Sequence, residues 1–138
     1  MTRFIALASA KGGVGKTTTA TNLAYSLAVL ENKVLIVDAD PQANTTSHLG
    51  FDPKNIRLGL YELMVQDLDP KDAILDTKYD YLKILPANID LVGAEIEMID
   101  LPNREKVMAR ILDKISAEYD FVIIDSSPSL GLITTNAL

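Results

Sequence analysis

Residues Ser9–Asn22 read SAKGGVGKTTTATN and directly follow the apolar run Phe4–Ala8. Such a run predicts a buried strand, and the alanines and leucines that recur after the lysine predict a helix. A glycine-rich turn between a strand and a helix is the setting of a phosphate-binding loop, whose usual pattern is G-x-x-x-x-G-K-[ST]. The GKT at 15–17 satisfies the end of that pattern, but Ala10 stands where its first glycine is expected. The stretch therefore predicts a nucleotide site with an unusual opening.

The chemistry of this loop depends on glycine backbone and on two side chains. Glycines let the chain turn tightly and approach an anion closely, and the helix that follows adds the positive end of its dipole. We predict that Lys16 reaches the β- and γ-phosphates and that Thr17 offers its hydroxyl oxygen to Mg²⁺. The residues predicted to cradle the nucleotide are Gly12, Gly13, Val14, Gly15, Lys16, Thr17 and Thr18.

Strand-like runs alternate with helical patterns along the whole chain. Strands are predicted at Phe4–Ala8, Val34–Val37, Leu82–Leu85 and Phe121–Ile124. Helices are predicted from Thr17, over Gly59–Gln66, over Asn88–Ile99 with Asn88 as N-cap, and over Arg104–Glu118, with 39–58 mostly loop. This alternation predicts an α/β fold, a doubly wound, mostly parallel sheet flanked by helices as in P-loop NTPases. Because an apolar helix has only begun at Leu138, we expect a truncated C-terminal end, with 1–138 as the N-terminal portion of a single ATPase domain.

Composition excludes several classes of protein. The 138 residues include no cysteine, which excludes disulfides, thiolate zinc sites and cysteine-ligated iron–sulfur clusters in this stretch. The formal net charge of −6 gives no support for a nucleic-acid surface built from the whole chain. No apolar run approaches the length of a membrane span, so we expect a cytoplasmic protein without a membrane role.

Two further acidic clusters follow predicted strands. Asp125 ends an apolar strand as a Walker-B aspartate does, and it is predicted to hold Mg²⁺ together with Thr17. Asp38 and Asp40 end the second strand, and we expect them to point in opposite directions, with only one facing the γ-phosphate. Their spacing does not choose between them, and capping of a loop is an equal alternative for Asp38.

Several motifs resemble one family of nucleotide-binding proteins. KGGVGKTT at 11–18 is similar to the deviant Walker A motif of the ParA/MinD superfamily, in which the lysine matching Lys11 is the signature residue and Ala10 is tolerated. VDADPQANTT at 37–46 and LPANIDLVGAEIEM at 85–98 resemble the ParA/Soj branch. The stretch 125–131, which begins at Asp125 and ends in Pro-Ser-Leu-Gly, does so too, although Ser127 replaces a common proline. Nitrogenase iron protein shares the loop but needs cysteines that are absent.

The resemblance implies a Mg²⁺-dependent ATPase of the partition type. Asp40, Lys11 and Lys16 would be its catalytic residues, and Lys11 would also bind ATP, across the interface of an ATP-dependent homodimer. That dimer would bind DNA non-specifically through regions mostly outside this chain, on the nucleoid, and a ParB-type partner would stimulate hydrolysis to segregate a chromosome or plasmid. An isolated 138-residue chain need not hydrolyse ATP.

Three alternatives to this interpretation stay open. Lys11 could contact the phosphates of its own subunit instead of those of a partner. The protein could be a MinD-like ATPase that cycles on a membrane, although MinD proteins usually lack the Asp-Pro-Gln of this sequence. It could also be a nucleotide-binding module without turnover.

Overall fold

The computed structural model describes residues 2–8, 14–40, 42–88 and 104–126, and five strands within them form one sheet. The strands are β1 (Arg3–Ala8), β2 (Val34–Ala39), β3 (Leu75–Asp76), β4 (Leu82–Leu85) and β5 (Phe121–Ser126), in the order β1-β5-β2-β4-β3. The four longer strands are parallel, and β3 pairs with β4 in the antiparallel direction. A mostly parallel sheet is what the unbroken apolar runs of the sequence predicted.

Helices cover both faces of this sheet. They are α1 (Val14–Val29), α2 (Asn44–His48), α3 (Leu60–Val65) and α4 (Arg104–Ser116), with short 3₁₀ turns at Pro53–Asn55 and Pro70–Ala73. No helix in the described ranges is long and apolar enough to span a bilayer. The architecture is therefore an α/β/α sandwich, and the predicted fold class is confirmed.

Each face of the sheet has its own core, because successive side chains of a strand point to opposite sides. Leu35 and Val37 of β2 pack with α3 and α4, whereas Val34 and Ile36 pack with α1. The α1 side of this core includes buried alanines at a spacing of four residues, Ala20, Ala24 and Ala28, with Leu23 and Leu27 packed beside them. Small residues on one helical stripe let the helix backbone lie close to the sheet, which fixes the first turn of α1 relative to the strand ends.

Several elements differ from the sequence predictions. The segment 39–58, predicted as mostly loop, contains α2, a five-residue helix with the wholly polar sequence NTTSH. Strand β3, only two residues long, was not predicted at all. Neither element carries an apolar period, which is the signal that such predictions require. The helix predicted over Asn88–Ile99 lies, apart from Asn88, outside the described residues.

The start of α3 is fastened to the end of β4. The Leu60 amide donates to the carbonyl oxygen of Pro86 over 2.9 Å, and the Gly59 amide donates to Glu62 Oε1 over 2.7 Å. A Cβ atom at Gly59 would lie 2.7 Å from the Pro86 oxygen, so only glycine permits this approach.

Candidate nucleotide site

The carboxyl ends of β1, β5 and β2 lie side by side at one edge of the sheet. Leu7 is level with Asp125, and Asp125 is level with Asp38. Helix α1 begins at the same edge, because it follows the end of β1. In open α/β sheets, ligands bind beyond this edge, where strand ends and helix N-termini meet.

Lys16, in the first turn of α1, is tied to the end of β5. Its ammonium lies 3.0 Å from Asp125 Oδ1 and donates to the backbone carbonyl of Ser126. Only 10% of the Lys16 side chain is exposed, and Asp125 is fully buried. A cation so withdrawn from water needs such partners, because desolvation of an unpaired charge is costly.

Asp125 contacts side chains from two helices, α1 and α2, through one carboxylate. Its Oδ2 accepts hydrogen bonds from Thr45 Oγ1 at 2.6 Å and from Thr17 Oγ1 at 3.3 Å. Its Oδ1 has the Lys16 ammonium nearby, but no donor among the described residues is aligned to make a hydrogen bond with it. Asp125 therefore combines a charge contact with a buried oxygen whose hydrogen-bonding capacity is unused.

This set of oxygens fits Mg²⁺ better than a metal that prefers a protein cage. The described part of the chain contains no group of three or more His, Cys, Asp or Glu that could hold a metal. Mg²⁺ is usually held by one or two carboxylates, waters and substrate phosphates. The Thr17 hydroxyl and Asp125 Oδ1, which accepts no hydrogen bond from the described residues, are oxygen ligands that suit Mg²⁺. The magnesium site assigned to these two residues stays a prediction.

The expectation that Asp38 and Asp40 point in opposite directions conflicts with strand geometry, because residues two apart along a strand lie on the same side. In the structure Asp38 belongs to β2, whereas Asp40 follows the last residue of that strand, Ala39. Asp38 Oδ1 accepts from the Asp40 amide at 3.0 Å, and its Oδ2 accepts from the amide and hydroxyl of Thr46 at 2.8 and 2.6 Å. Asp40 accepts from the Gln42 amide at 3.0 Å and from Asn44 Nδ2 at 2.7 Å. Both carboxylates thus hold the segment that leads into α2.

A family model described as AAA domain matches residues 2–138. The chain belongs to this family. Within it, the chain is 46% identical over 138 residues to the sporulation initiation inhibitor protein Soj of Bacillus subtilis, covering 100% of this chain and 54% of Soj. It is 48% identical over 136 residues to the chromosome partitioning protein ParA of Myxococcus xanthus, covering 99% of this chain and 48% of ParA. The resemblance to the ParA/Soj type is therefore confirmed, and this AAA domain chain spans about half the length of both relatives.

Solved structures share the fold of this chain. A cobyrinic acid a,c-diamide synthase from Mycobacterium smegmatis, solved with an ATP analog and magnesium, matches with a TM-score of 0.89 and 41% identity. The match covers 100% of this AAA domain chain and 56% of that protein. The same protein has also been solved with ADP and magnesium.

The structure covers the predicted loop of this AAA domain only in part. Lys11, Gly12 and Gly13 lie outside the described residues, whereas 14–18 form the first turn of α1. A Cβ atom at Gly15 would meet nothing within 4 Å, so packing within the described chain does not explain a glycine there. The nucleotide-binding and catalytic roles of these residues stay predictions.

Two site residues were missed from the sequence, namely Thr45 and Thr46. Both are fully buried, and each donates its hydroxyl to one of the two neighbouring carboxylates, Asp125 and Asp38. The available signal was a pair of hydroxyl residues shortly after the Asp-x-Asp of this AAA domain, but such residues are common in any turn.

A separate cavity of about 1070 Å³ opens at the other edge of the sheet of this AAA domain. It lies where strands begin, and its lining includes Thr2, Lys33, Tyr81 and Asp120. None of the predicted site residues lines it. The candidate site is therefore assigned from the chemistry of the strand ends.

Burial raises the pKa of Asp38 from 3.8 to about 7, against the opposing effect of hydrogen bonds from Thr46 and the Asp40 amide. Since the folded state of this AAA domain holds the proton more tightly than the unfolded state, the stability due to protonated Asp38 is present below pH 4. It is lost as pH rises to about 7.

We therefore expect the unfolding free energy of the wild type to fall more steeply between pH 4 and pH 7 than that of Asp38→Asn. The expected slope difference is roughly 1.4 kcal/mol for each pH unit crossed, the free energy equivalent to a tenfold change in proton affinity. Urea unfolding of both proteins at several pH values measures this difference in slope. The other titrating groups contribute to both curves and so cancel in the comparison. Parallel curves for the two proteins would contradict the assigned pKa direction.

Proposed function

We propose that this chain carries the nucleotide site of a Mg²⁺-dependent partition ATPase of the ParA type. With ATP the protein forms a homodimer, binds DNA without sequence preference in the cytoplasm on the nucleoid, and hydrolyses ATP when a ParB-type partner stimulates it. This cycle segregates a chromosome or a plasmid. Residues 1–138 form the N-terminal portion of a single ATPase domain in this proposal.

One observation carries the ATPase part of the proposal, namely the convergence of Lys16, Thr17 and Asp125. A cation and a hydroxyl from the first turn of α1 meet a buried carboxylate at the end of β5. Phosphoryl transfer needs a cation on the phosphates and a hydroxyl and an aspartate for the metal. Few other reactions need these three groups at a helix N-terminus.

Each group has a proposed task. Thr17 and Asp125 hold Mg²⁺, which, when bound, neutralises the charge that develops on the phosphates. Lys16 exchanges its contact with Asp125 for the β- and γ-phosphates of ATP. Asp40 orients the attacking water, and a carboxylate can do so because it accepts hydrogen bonds from that water. Lys11 contributes a further positive charge, from the partner subunit, to the buried triphosphate.

The partition role is supported by the relatives rather than by the site. Soj and ParA, at 46% and 48% identity, are named for sporulation control and chromosome partitioning. The ATP analog and magnesium in the Mycobacterium smegmatis structure support the same ligands here.

DNA binding by the complete protein tests the proposal. We expect tight binding to a DNA fragment of arbitrary sequence with ATP and Mg²⁺, weak binding with ADP, and faster phosphate release when a ParB candidate is added. Gel shifts and a phosphate assay measure these three results, and raised salt should weaken the binding.

Other outcomes would favour the alternatives. ATP-dependent binding to lipid vesicles in place of DNA would indicate the MinD-like cycle. Nucleotide binding without phosphate release, with or without the ParB candidate, would indicate a module without turnover. Equal DNA affinity with ATP and ADP would contradict the nucleotide switch itself.

A further inference from the structure

Two consecutive threonines of α2 each hold one of two neighbouring carboxylates. Thr45 Oγ1 donates to Asp125 Oδ2, and Thr46 Oγ1 donates to Asp38 Oδ2, both over 2.6 Å. Asp38 and Asp125 are level with each other on the adjacent strands β2 and β5. All four residues are fully buried, so these contacts are shielded from water and strong for their kind.

Thr46 and Asp38 close the base of the loop that carries Asp40. Asp38 takes the Asp40 amide at the start of the loop and the Thr46 amide and hydroxyl at its end. The Thr46 hydroxyl also accepts from the Ala87 amide at 2.9 Å, just beyond β4. The loop is therefore already anchored to two strands without any contribution from Thr45.

Thr45 makes a different connection, because its partner belongs to the nucleotide site. The Asp125 oxygen that it contacts also accepts from Thr17, and the other oxygen of that carboxylate faces Lys16. A single carboxylate thus joins the first turn of α1 to the first turn of α2. A change in the contacts that Lys16 or Thr17 makes with Asp125 therefore also changes the hydrogen bond between Asp125 and the Thr45 hydroxyl.

We propose that Thr45 is a positioning residue that links the nucleotide site to the loop carrying Asp40. It acts through Asp125 and touches neither phosphate nor water itself. Loss of its hydroxyl leaves the loop folded on Asp38 but free to shift relative to the nucleotide. This inference rests on the proposed function, since it assigns Asp40 to hydrolysis.

Thr45→Val, which removes the hydroxyl at nearly constant volume, tests the link in the complete protein. We expect phosphate release per site to fall about tenfold or more, the usual effect of losing a hydrogen bond to a charged group. The affinity for a fluorescent ATP analogue with Mg²⁺ should change much less. The change in hydrogen exchange of amides 42–48 on adding the analogue should shrink, and Thr45→Ser should restore both turnover and this change.

Thr77→Val is the control, because it also removes a hydroxyl that donates a hydrogen bond, in this case to the Leu82 carbonyl at 2.7 Å and at the far edge of the sheet. It should keep wild-type turnover. The proposal is overturned if Thr45→Val retains wild-type turnover and exchange, if Thr77→Val loses as much, or if Thr45→Ser is slow at an unchanged melting temperature. If the wild type binds nucleotide and Thr45→Val shows none of these effects, the link alone is refuted. If the wild type binds no nucleotide, the proposed function is refuted.

Discussion

Lys16→Ala is expected to lose ATP binding, with affinity reduced about a hundredfold or more, because the charge that faces the phosphates disappears. A charge-assisted contact with phosphate in a site this withdrawn from water is worth several times an exposed one. The Lys16 ammonium already lies in a buried cluster at the strand ends, 3.0 Å from Asp125 Oδ1, where the phosphates are expected to bind. Titration calorimetry with ATP and Mg²⁺ measures the loss.

The same change has a second, separable effect on stability. Removal of Lys16 leaves Asp125 buried without its cation, and breaking a buried pair in this way costs about 3 kcal/mol or more. A melting curve must therefore show that the variant is folded at the temperature of the titration. Lys33→Ala, at an exposed lysine on the opposite edge of the sheet, is the control and should bind ATP as the wild type does. Unchanged affinity in folded Lys16→Ala would remove our interpretation of the loop.

Asp40→Ala is expected to bind ATP and form ATP-dependent dimers but to hydrolyse about a hundredfold more slowly. A positioned carboxylate of this kind contributes roughly 10²–10⁴-fold to a hydrolytic rate. The contacts of Asp40 are to its own loop, through Gln42 and Asn44, and not to Lys16 or Asp125, so nucleotide binding should survive. Phosphate release and gel filtration with ATP, both on the complete protein, measure the two properties.

Asp52→Ala provides the matched control for Asp40→Ala. Asp52 accepts from the Lys54 amide at 3.0 Å, the same hydrogen bond two residues ahead that Asp40 makes with the Gln42 amide. Loss of a turn-stabilising carboxylate is thus common to both variants, whereas only one should lose hydrolysis. Normal phosphate release from Asp40→Ala would move the catalytic role to another residue.

The sequence predicted the layers of the fold well, because its strands are nearly continuous apolar runs and α1 and α4 have a clear helical period. The strand Leu82–Leu85 was located to the residue, and the other three predicted strands were located to within two residues at either end. The α2 helix escaped prediction because buried carboxylates, rather than an apolar face, hold its threonines. Partners so distant in the chain leave no periodic signal.

The candidate site was predictable in kind but not in its connections. Lys16 and Asp125 were assigned to one site by motif, and the structure brings them to 3.0 Å. The contact of Thr45 with the same carboxylate could not be predicted. It depends on the backbone path of residues 40–46, which local sequence patterns do not determine. For the Asp-x-Asp pair, the motif supplied two acids, and both are buried. Their hydrogen bonds distinguish them, because Asp38 joins the two ends of the loop whereas Asp40 bonds to Gln42 and Asn44 within it.

The hydrogen bonds of Asp38 have a consequence for how such proteins diverge. Asp38 accepts hydrogen bonds from the amide of Asp40 and from both donors of Thr46, so it forms part of the frame on which the loop folds. A descendant released from selection for hydrolysis would lose fewer connections by replacing Asp40, whose carboxylate bonds only to Gln42 and Asn44 among the described residues, than by replacing Asp38, which joins both ends of the loop. Among paralogues that have turned from enzymes into scaffolds, the second aspartate should therefore disappear before the first.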